Sequence, residues 1–299
     1  MEKKIQDSRL RYHALGFLEI ANPPSPETLN AYYAERYYQT EQGNYRKAYS
    51  DEELAYINLK IAQKASLVNR YRETNTPGTF LDVGCGEGFA LSWFSAIGWS
   101  VEGIDYSVAG LENMNPDLIS HVESGDLFEI LARRISKGKG YDLVWLNNVL
   151  EHVLDPVNLL KSLRDLIAPD GILVVTVPND GSTYQEFLLK NGNISHRFWI
   201  AIPDHLAYFN YESLLRTAEA TGWKCNEIIG DFPIDFFLLH PGSNYVRDRA
   251  NGPFAHQARL KMDLMLGDHY SHERVNEFYA GLARVGLGRD LTAFLSPQK

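Results

Sequence analysis

The chain has little of what a secreted scaffold, a membrane protein or a nucleic-acid binder needs. Only two cysteines occur in 299 residues, Cys85 and Cys225, so there is no disulfide framework and no need of an oxidising compartment. No apolar run approaches the ~20 residues of a spanning helix, which excludes a membrane span. The first residues, with Lys3, Lys4, Asp7, Arg9 and Arg11, lack the apolar centre of a signal peptide. Cytoplasm is the expected location. Basic residues are in deficit, 29 Lys and Arg against 38 Asp and Glu, and the net charge of −9 disfavours nucleic acid as a partner. Internal repeats and low-complexity tracts are absent. With 44% hydrophobic and 22% charged residues, the composition is that of a globular protein long enough to bury a full core.

The richest stretch is Phe80-Leu81-Asp82-Val83-Gly84-Cys85-Gly86-Glu87-Gly88, followed by Val101-Glu102-Gly103-Ile104-Asp105. An apolar run that breaks into alternating glycines reads as a buried strand turning sharply into a helix. Glycines without Cβ atoms let the main chain close on a ligand, and the N–H groups of the helix start face it. Asp105 ends the next strand, where a carboxylate can accept two hydrogen bonds from a ribose diol. The Gly-x-Gly-x-Gly spacing is not the Gly-x-Gly-x-x-Gly of nicotinamide enzymes. Asp82 would repel a pyrophosphate but suits a ligand with a cationic amino-acid end.

These residues resemble motif I of the class I S-adenosylmethionine-dependent methyltransferases. The resemblance covers residues 78–230 and implies S-adenosylmethionine as cofactor, with S-adenosylhomocysteine as product. It also implies an α/β, Rossmann-like class I methyltransferase fold. On that resemblance Asp82, Gly84, Gly86 and Gly88 cradle the methionine portion and Asp105 holds the ribose, with Cys85 and Tyr106 beside them in the cofactor set. Gly125-Asp126-Leu127 stand where the family places an acid on the adenine amino group and an apolar residue against the ring. Asp126 also reads as a helix N-cap. Asn147, ending the fourth strand, falls beside the sulfonium.

The sequence pattern divides the chain in two. Residues 1–75 read as a helical N-terminal cap or lid. Helices start at Ser25-Pro26-Glu27 and at Ser50, where Glu53 completes a capping box, and Leu54, Ile57, Ile61, Ala65 and Val68 follow at helical spacing. Tyr32, Tyr33, Tyr37, Tyr38, Tyr45 and Tyr49 lie between and around these helices as a packed or lid-forming set. Residues 76–299 read as the Rossmann-like domain, a mostly parallel seven-stranded sheet with helices on both faces. Strands are expected near 79–83, 100–104, 119–122, 141–146, 171–177, 223–229 and 290–295. Helices are expected near 88–97, 107–113, 127–136, 155–167 and 211–221, with Pro169-Asp170-Gly171 turning into the fifth strand. Residues 180–210 form the acceptor-pocket segment. Residues 231–288 are a C-terminal helical insertion, with helices near 253–266 and 271–285, that covers the site or makes a homodimer face.

Methyl transfer needs donor and acceptor held in contact, water excluded and, for a hydroxyl acceptor, a proton removed. Ser195-His196-Arg197-Phe198-Trp199 and Asp204-His205-Leu206-Ala207-Tyr208-Phe209 offer aromatic surface, a cation for phosphate and histidines for the proton. His205 is the first candidate base, with His152 and His196 behind it, or else a structural histidine of the lid. Arg197, Tyr208 and Phe209 are the candidate substrate-binding residues. Glu151-His152 resembles the cation-holding segment of ubiquinone-type O-methyltransferases, but Asn148 stands where that pattern wants its first acid. An incomplete ligand set favours no metal. The segment around Asp204–Asn210 resembles methyltransferases of surface-glycan and nucleotide-sugar pathways. The expected acceptor is a small polar molecule, a sugar or nucleotide-linked sugar methylated on oxygen or nitrogen. A quinone or phenol is the alternative, and a non-catalytic binding subunit a further one.

Overall fold

The computed structural model describes residues 7–32 and 48–298. Two short strands come first, β1 (Leu10–Tyr12) and β2 (Leu18–Ile20). They correct the expectation of a purely helical cap. β2 pairs with Ala207 and Tyr208, so this sheet depends on a long-range partner that no local periodicity announces. α1 (Pro26–Tyr32) follows Ser25 as expected. Tyr33, Tyr37, Tyr38 and Tyr45 fall outside the described residues. α2 (Asp51–Arg72) begins with the anticipated capping box, Ser50 and Glu53 satisfying each other's backbone N–H. Its Ile61, Ala65 and Val68 are buried against the sheet.

From there strand and helix alternate: β3 (Thr79–Val83), α3 (Phe89–Ala96), β4 (Ser100–Asp105), α4 (Ala109–Met114), β5 (Val122–Ser124), α5 (Leu127–Ser136), β6 (Tyr141–Asn147), α6 (Pro156–Arg164) and β7 (Ile167–Pro178). Next come α7 (Thr183–Lys190), β8 (Ala207–Tyr208), α8 (Tyr211–Ala220), β9 (Trp223–Gly230), α9 (Gly252–His269), α10 (His272–Arg284) and β10 (Asp290–Pro297). The seven-stranded sheet has the order β5-β4-β3-β6-β7-β10-β9, with β10 antiparallel to both neighbours. Apolar residues pack on both of its faces. Leu81, Val83, Val144 and Leu146 point to one side, and Phe80, Leu143, Trp145 and Val174 to the other. Each fully buried Leu contributes about 1.5–3 kcal/mol.

The elements depart from expectation where turn chemistry intervenes. The third strand starts at Val122 rather than 119, because Pro116 opens a 3-10 turn that runs to His121. The helix expected over 155–167 ends at Arg164, and Ile167 already pairs in β7. Pro169-Asp170-Gly171 is then a bulge inside β7, where the register moves from Tyr141↔Ile167 to Leu143↔Ile172. α7 was not foreseen, although Ser182 and Gln185 carry its capping box.

Candidate active site

All the parallel strands end on one edge, and the site assembles there. β3 stops at Val83, and Gly84 (φ 75°), Gly86 (φ 55°) and Gly88 (φ 75°) turn the chain into α3 in the left-handed region that favours glycine. The loop is stapled to β4: Gly84 N–H donates to the Ile104 carbonyl at 2.7 Å. Gly86 N–H donates to Asp105 Oδ2 at 2.8 Å, and Ser107 N–H to Asp105 Oδ1 at 3.2 Å. A Cβ on Gly84 would lie 2.3 Å from Val149 Cγ2, so only glycine fits between this loop and the segment after β6. Cys85 is buried behind the loop, against Gly103, and burial raises its thiol far out of the reactive range. Tyr49 donates to Glu87 Oε2 at 2.7 Å and sets its ring edge-on to Phe89, which puts the cap against this loop.

Asp82 and Asp105 end adjacent strands. Burial and the Asp105 charge push the Asp82 carboxyl up to about 8, and burial also raises Asp105. Two acids forced together favour a cationic ligand such as the α-ammonium of an amino acid. Because the Asp82 pKa is raised in the folded state, its contribution to stability is present at low pH and lost as pH rises through about 8. Asp82→Asn should therefore narrow the difference in melting temperature between pH 6 and pH 9 on the order implied by one titrating group. An unchanged difference would mean that Asp82 is not so perturbed.

Asp126 takes the N-cap place expected of it. Its Oδ1 accepts from Glu129 N–H at 3.0 Å as the N-cap of α5, while Oδ2 faces Tyr106 Oη at 3.4 Å. Gly125 (φ 149°) makes the turn, and Leu127 is buried beside it. Asn147 closes β6. Asn148, at φ 54°, takes the left-handed conformation that Asn tolerates better than most residues.

On the acceptor side the structure separates the histidines. His196 is exposed, with its ring on Ser195 Oγ, so it is not brought to the cluster that the other two form. His152 and His205 meet edge to face, ring centroids 4.9 Å apart. Burial and His205 push His152 down to about 4, and its Nδ1 is tied to the Asp204 carbonyl at 2.6 Å. His205 Nδ1 faces Asp180 Oδ2 at 3.7 Å, and Asp180 Oδ1 accepts from Arg289 at 2.8 Å. Glu151, His152 and His205 bring one ligand-type atom each within 4.8 Å of one another. Burial raises the Glu151 carboxyl well above the usual carboxylate range.

A cavity of about 990 Å³ opens beside this cluster, lined by Asn179, Asp180, Glu186, Arg197, Tyr208 and Arg216 among others. Arg197 is held by Glu186 through two bonds of 2.9 Å, and Tyr208 donates to the His205 carbonyl at 3.0 Å. Phe209 is corrected. The alternation along the chain turns it away from Tyr208 into the core against Phe17, with ring centroids 4.8 Å apart, and leaves it 0% exposed.

Sequence reasoning missed a second group at the same edge. Lys64 of α2 reaches Asn147 and Thr176, and Asp231 and Asp290 meet at the junction of β9 and β10. Asp231 Oδ1 accepts from the N–H groups of Arg289 and Asp290 at 2.6 and 2.8 Å. Lys60 and Lys64 each stand one residue before Ile61 and Ala65 of the packed stripe, and charges at that position were the available signal.

The fold and the glycine cradle define an α/β transferase that binds an adenosyl amino acid. The methyltransferase-domain family matches residues 56–228, and the chain belongs to it, as an S-adenosylmethionine-dependent methyltransferase of class I. It is similar to the ubiquinone biosynthesis O-methyltransferase of Haemophilus ducreyi, 30% identical over 183 residues, 54% of this chain and 77% of that protein. The Paraburkholderia xenovorans enzyme of the same name is 29% identical over 174 residues, 53% of this chain and 73% of that one. Among solved structures, an S-adenosylmethionine-dependent methyltransferase from Archaeoglobus fulgidus superposes with a TM-score of 0.50 at 18% identity, over 80% of this chain and 93% of that one. The 1,6-didemethyltoxoflavin-N1-methyltransferase of Burkholderia thailandensis gives 0.51 at 13% identity, over 97% and 100%. At such identities the structures share the fold alone.

Proposed function

We propose that the enzyme methylates a hydroxyl of a small polar acceptor, a sugar or nucleotide-linked sugar of surface-glycan synthesis, in a cytoplasmic setting. One observation carries this reading. Asn179 Oδ1 and Asp180 Oδ2 are buried acceptor atoms without a hydrogen-bond partner, and both residues line the 990 Å³ cavity. A polyol has hydroxyls to spare for both atoms while another is methylated, whereas a phenol with few hydroxyls leaves at least one of them unsatisfied at about 1–3 kcal/mol. S-adenosylmethionine, when bound, supplies an electrophilic methyl group on sulfur. The chain's own residues do the rest: the loop of Gly84–Gly88 orients the donor and Asp105 grips its ribose. His205, oriented by Asp180, takes the hydroxyl proton.

Similarity to the ubiquinone biosynthesis O-methyltransferases favours a second reading, O-methylation of a phenol or quinone. Tritiated-methyl transfer from S-adenosylmethionine to UDP-glucose and to 3,4-dihydroxybenzoate, each with and without EDTA, separates the two. Label on the sugar nucleotide, undiminished by EDTA, is the expected result, since Asn148 stands where the cation-holding pattern wants its first acid. Label on the catechol alone, abolished by EDTA, would overturn it in favour of the second reading.

A further inference from the structure

We propose that Arg216 holds a diphosphate carried by the acceptor. The proposal rests on the reading that the cavity beside His205 receives the acceptor, and it adds the chemistry of the acceptor's non-reacting end. Arg216 stands on the exposed side of α8, whose Leu214, Thr217 and Ala218 are buried. Its guanidinium lies on the turn between β1 and β2, where Nε donates to the Leu15 carbonyl at 3.0 Å. Gly16 (φ 87°) makes that turn, and a Cβ there would run into Nη2, so the glycine leaves the room in which the cation sits. Both residues line the cavity. Among the described residues the terminal nitrogens of Arg216 have neither a hydrogen-bond acceptor nor a carboxylate within ion-pair distance.

The charges around the cavity single this cation out. Of the four acids in its wall, three are matched by arginines of their own: Asp7 by Arg9 at 2.7 Å, Glu186 by Arg197 at 2.9 Å and Asp180 by Arg289 at 2.8 Å. Arg197, expected from the sequence to meet phosphate, is thereby neutralised. Glu212 is the fourth acid, one turn before Arg216 on α8 and outside ion-pair distance of it. Arg284 lines the same cavity with its side chain 64% exposed, and its Glu227 partner, 3.7 Å away, is shared with Arg70. Two arginines thus face the cavity against one acid, which suits an anion carrying more than one charge. A guanidinium also presents paired N–H groups in the geometry that phosphate oxygens accept.

Size agrees with charge. At about 990 Å³ the cavity reaches the upper end of the roughly 300–1,000 Å³ spanned by small-molecule sites. That is room for an acceptor longer than one sugar ring. Tyr12 and Tyr211 belong to the same wall, and Tyr12 keeps 42% of its surface open, so ring faces are present for a base. A nucleoside diphosphate uses all of these features; a diphosphate on another carrier uses the arginines alone.

Calorimetry on protein saturated with S-adenosylhomocysteine tests this without methyl transfer. Wild type, Arg216→Met and Arg216→Lys are titrated with UDP, with uridine, which lacks the phosphates, and with inorganic pyrophosphate. Wild type should bind UDP about 10- to 100-fold more tightly than uridine. That preference should collapse in Arg216→Met and be partly kept in Arg216→Lys, while equal S-adenosylhomocysteine affinity shows that the variants are folded. UDP bound more tightly than pyrophosphate assigns the diphosphate to a nucleotide, and equal affinities assign it to another carrier; both keep the proposal. Wild type with no preference for UDP over uridine would overturn it. So would Arg216→Met that weakens UDP and uridine alike, since the arginine would then only tie the β1–β2 turn to α8. Either of those results together with label on UDP-glucose fells this proposal alone, whereas label on the catechol alone fells the reading on which it rests.

Discussion

Asp105→Ala is expected to weaken S-adenosylhomocysteine binding by about 10- to 100-fold, and to lower the melting temperature of the free protein as well. The carboxylate has two duties. It staples the glycine loop by accepting from Gly86 N–H at 2.8 Å and Ser107 N–H at 3.2 Å, and its remaining lone pairs are those that a ribose diol would use. Alanine removes both, leaving the Gly86 and Ser107 N–H groups without their acceptor. Asp105→Asn keeps one acceptor oxygen in place and should fall between wild type and alanine. Calorimetric titration measures the affinity, and a scan of the free protein reads the loop. An unchanged dissociation constant would remove Asp105 from the cofactor site, and an unchanged melting temperature would deny the staple.

His205→Ala is expected to lower turnover by about 10²- to 10⁴-fold while S-adenosylhomocysteine binds as before. The ring stands between Asp180 Oδ2 at 3.7 Å and the perpendicular ring of His152, and its Nδ1 is buried without a hydrogen-bond partner. Asp180 is fixed by Arg289, which keeps its Oδ2 turned toward the ring. Asp180→Asn should therefore lower turnover too, by a smaller factor, because orientation is kept and charge is lost. Labelled-methyl transfer to whichever of the two test acceptors the wild type labels gives the rates, with calorimetry as the control on cofactor affinity. Turnover at the wild-type rate in His205→Ala would exclude the histidine as base and leave it an anchor of the segment around Tyr208.

Local patterning carried most of the fold. The alternation after Thr79, the Ser50 and Asn210 caps and the helices flanking Ser271 are all written in short stretches where one face is apolar or one side chain caps a turn. The cofactor edge was legible for the same reason: a glycine loop and an acid at the next strand end are neighbours wherever two parallel strands lie together. What sequence reading missed depends on pairing at a distance. β1 and β2 are too short for a periodicity and exist as a sheet because Ala207 and Tyr208 join them. Phe209 looked like a ligand-facing aromatic because composition cannot say which side of the chain faces the cavity. Asp231 and Asp290 share a corner only because β10 inserts between β7 and β9. Lys64 hides in a helix whose apolar stripe draws the eye away from the polar residue beside it.

The central claim is that the bent, glycine-lined end of β3, with Asp82 and Asp105 beside it, grips an adenosyl amino acid. Titrating S-adenosylhomocysteine into the purified protein by calorimetry tests it most directly. The account predicts a saturable heat with one site per chain, displaced by S-adenosylmethionine and insensitive to NAD. A folded protein that gives no heat with either adenosyl ligand, at concentrations up to about the millimolar upper end of ordinary ligand affinities, would contradict it.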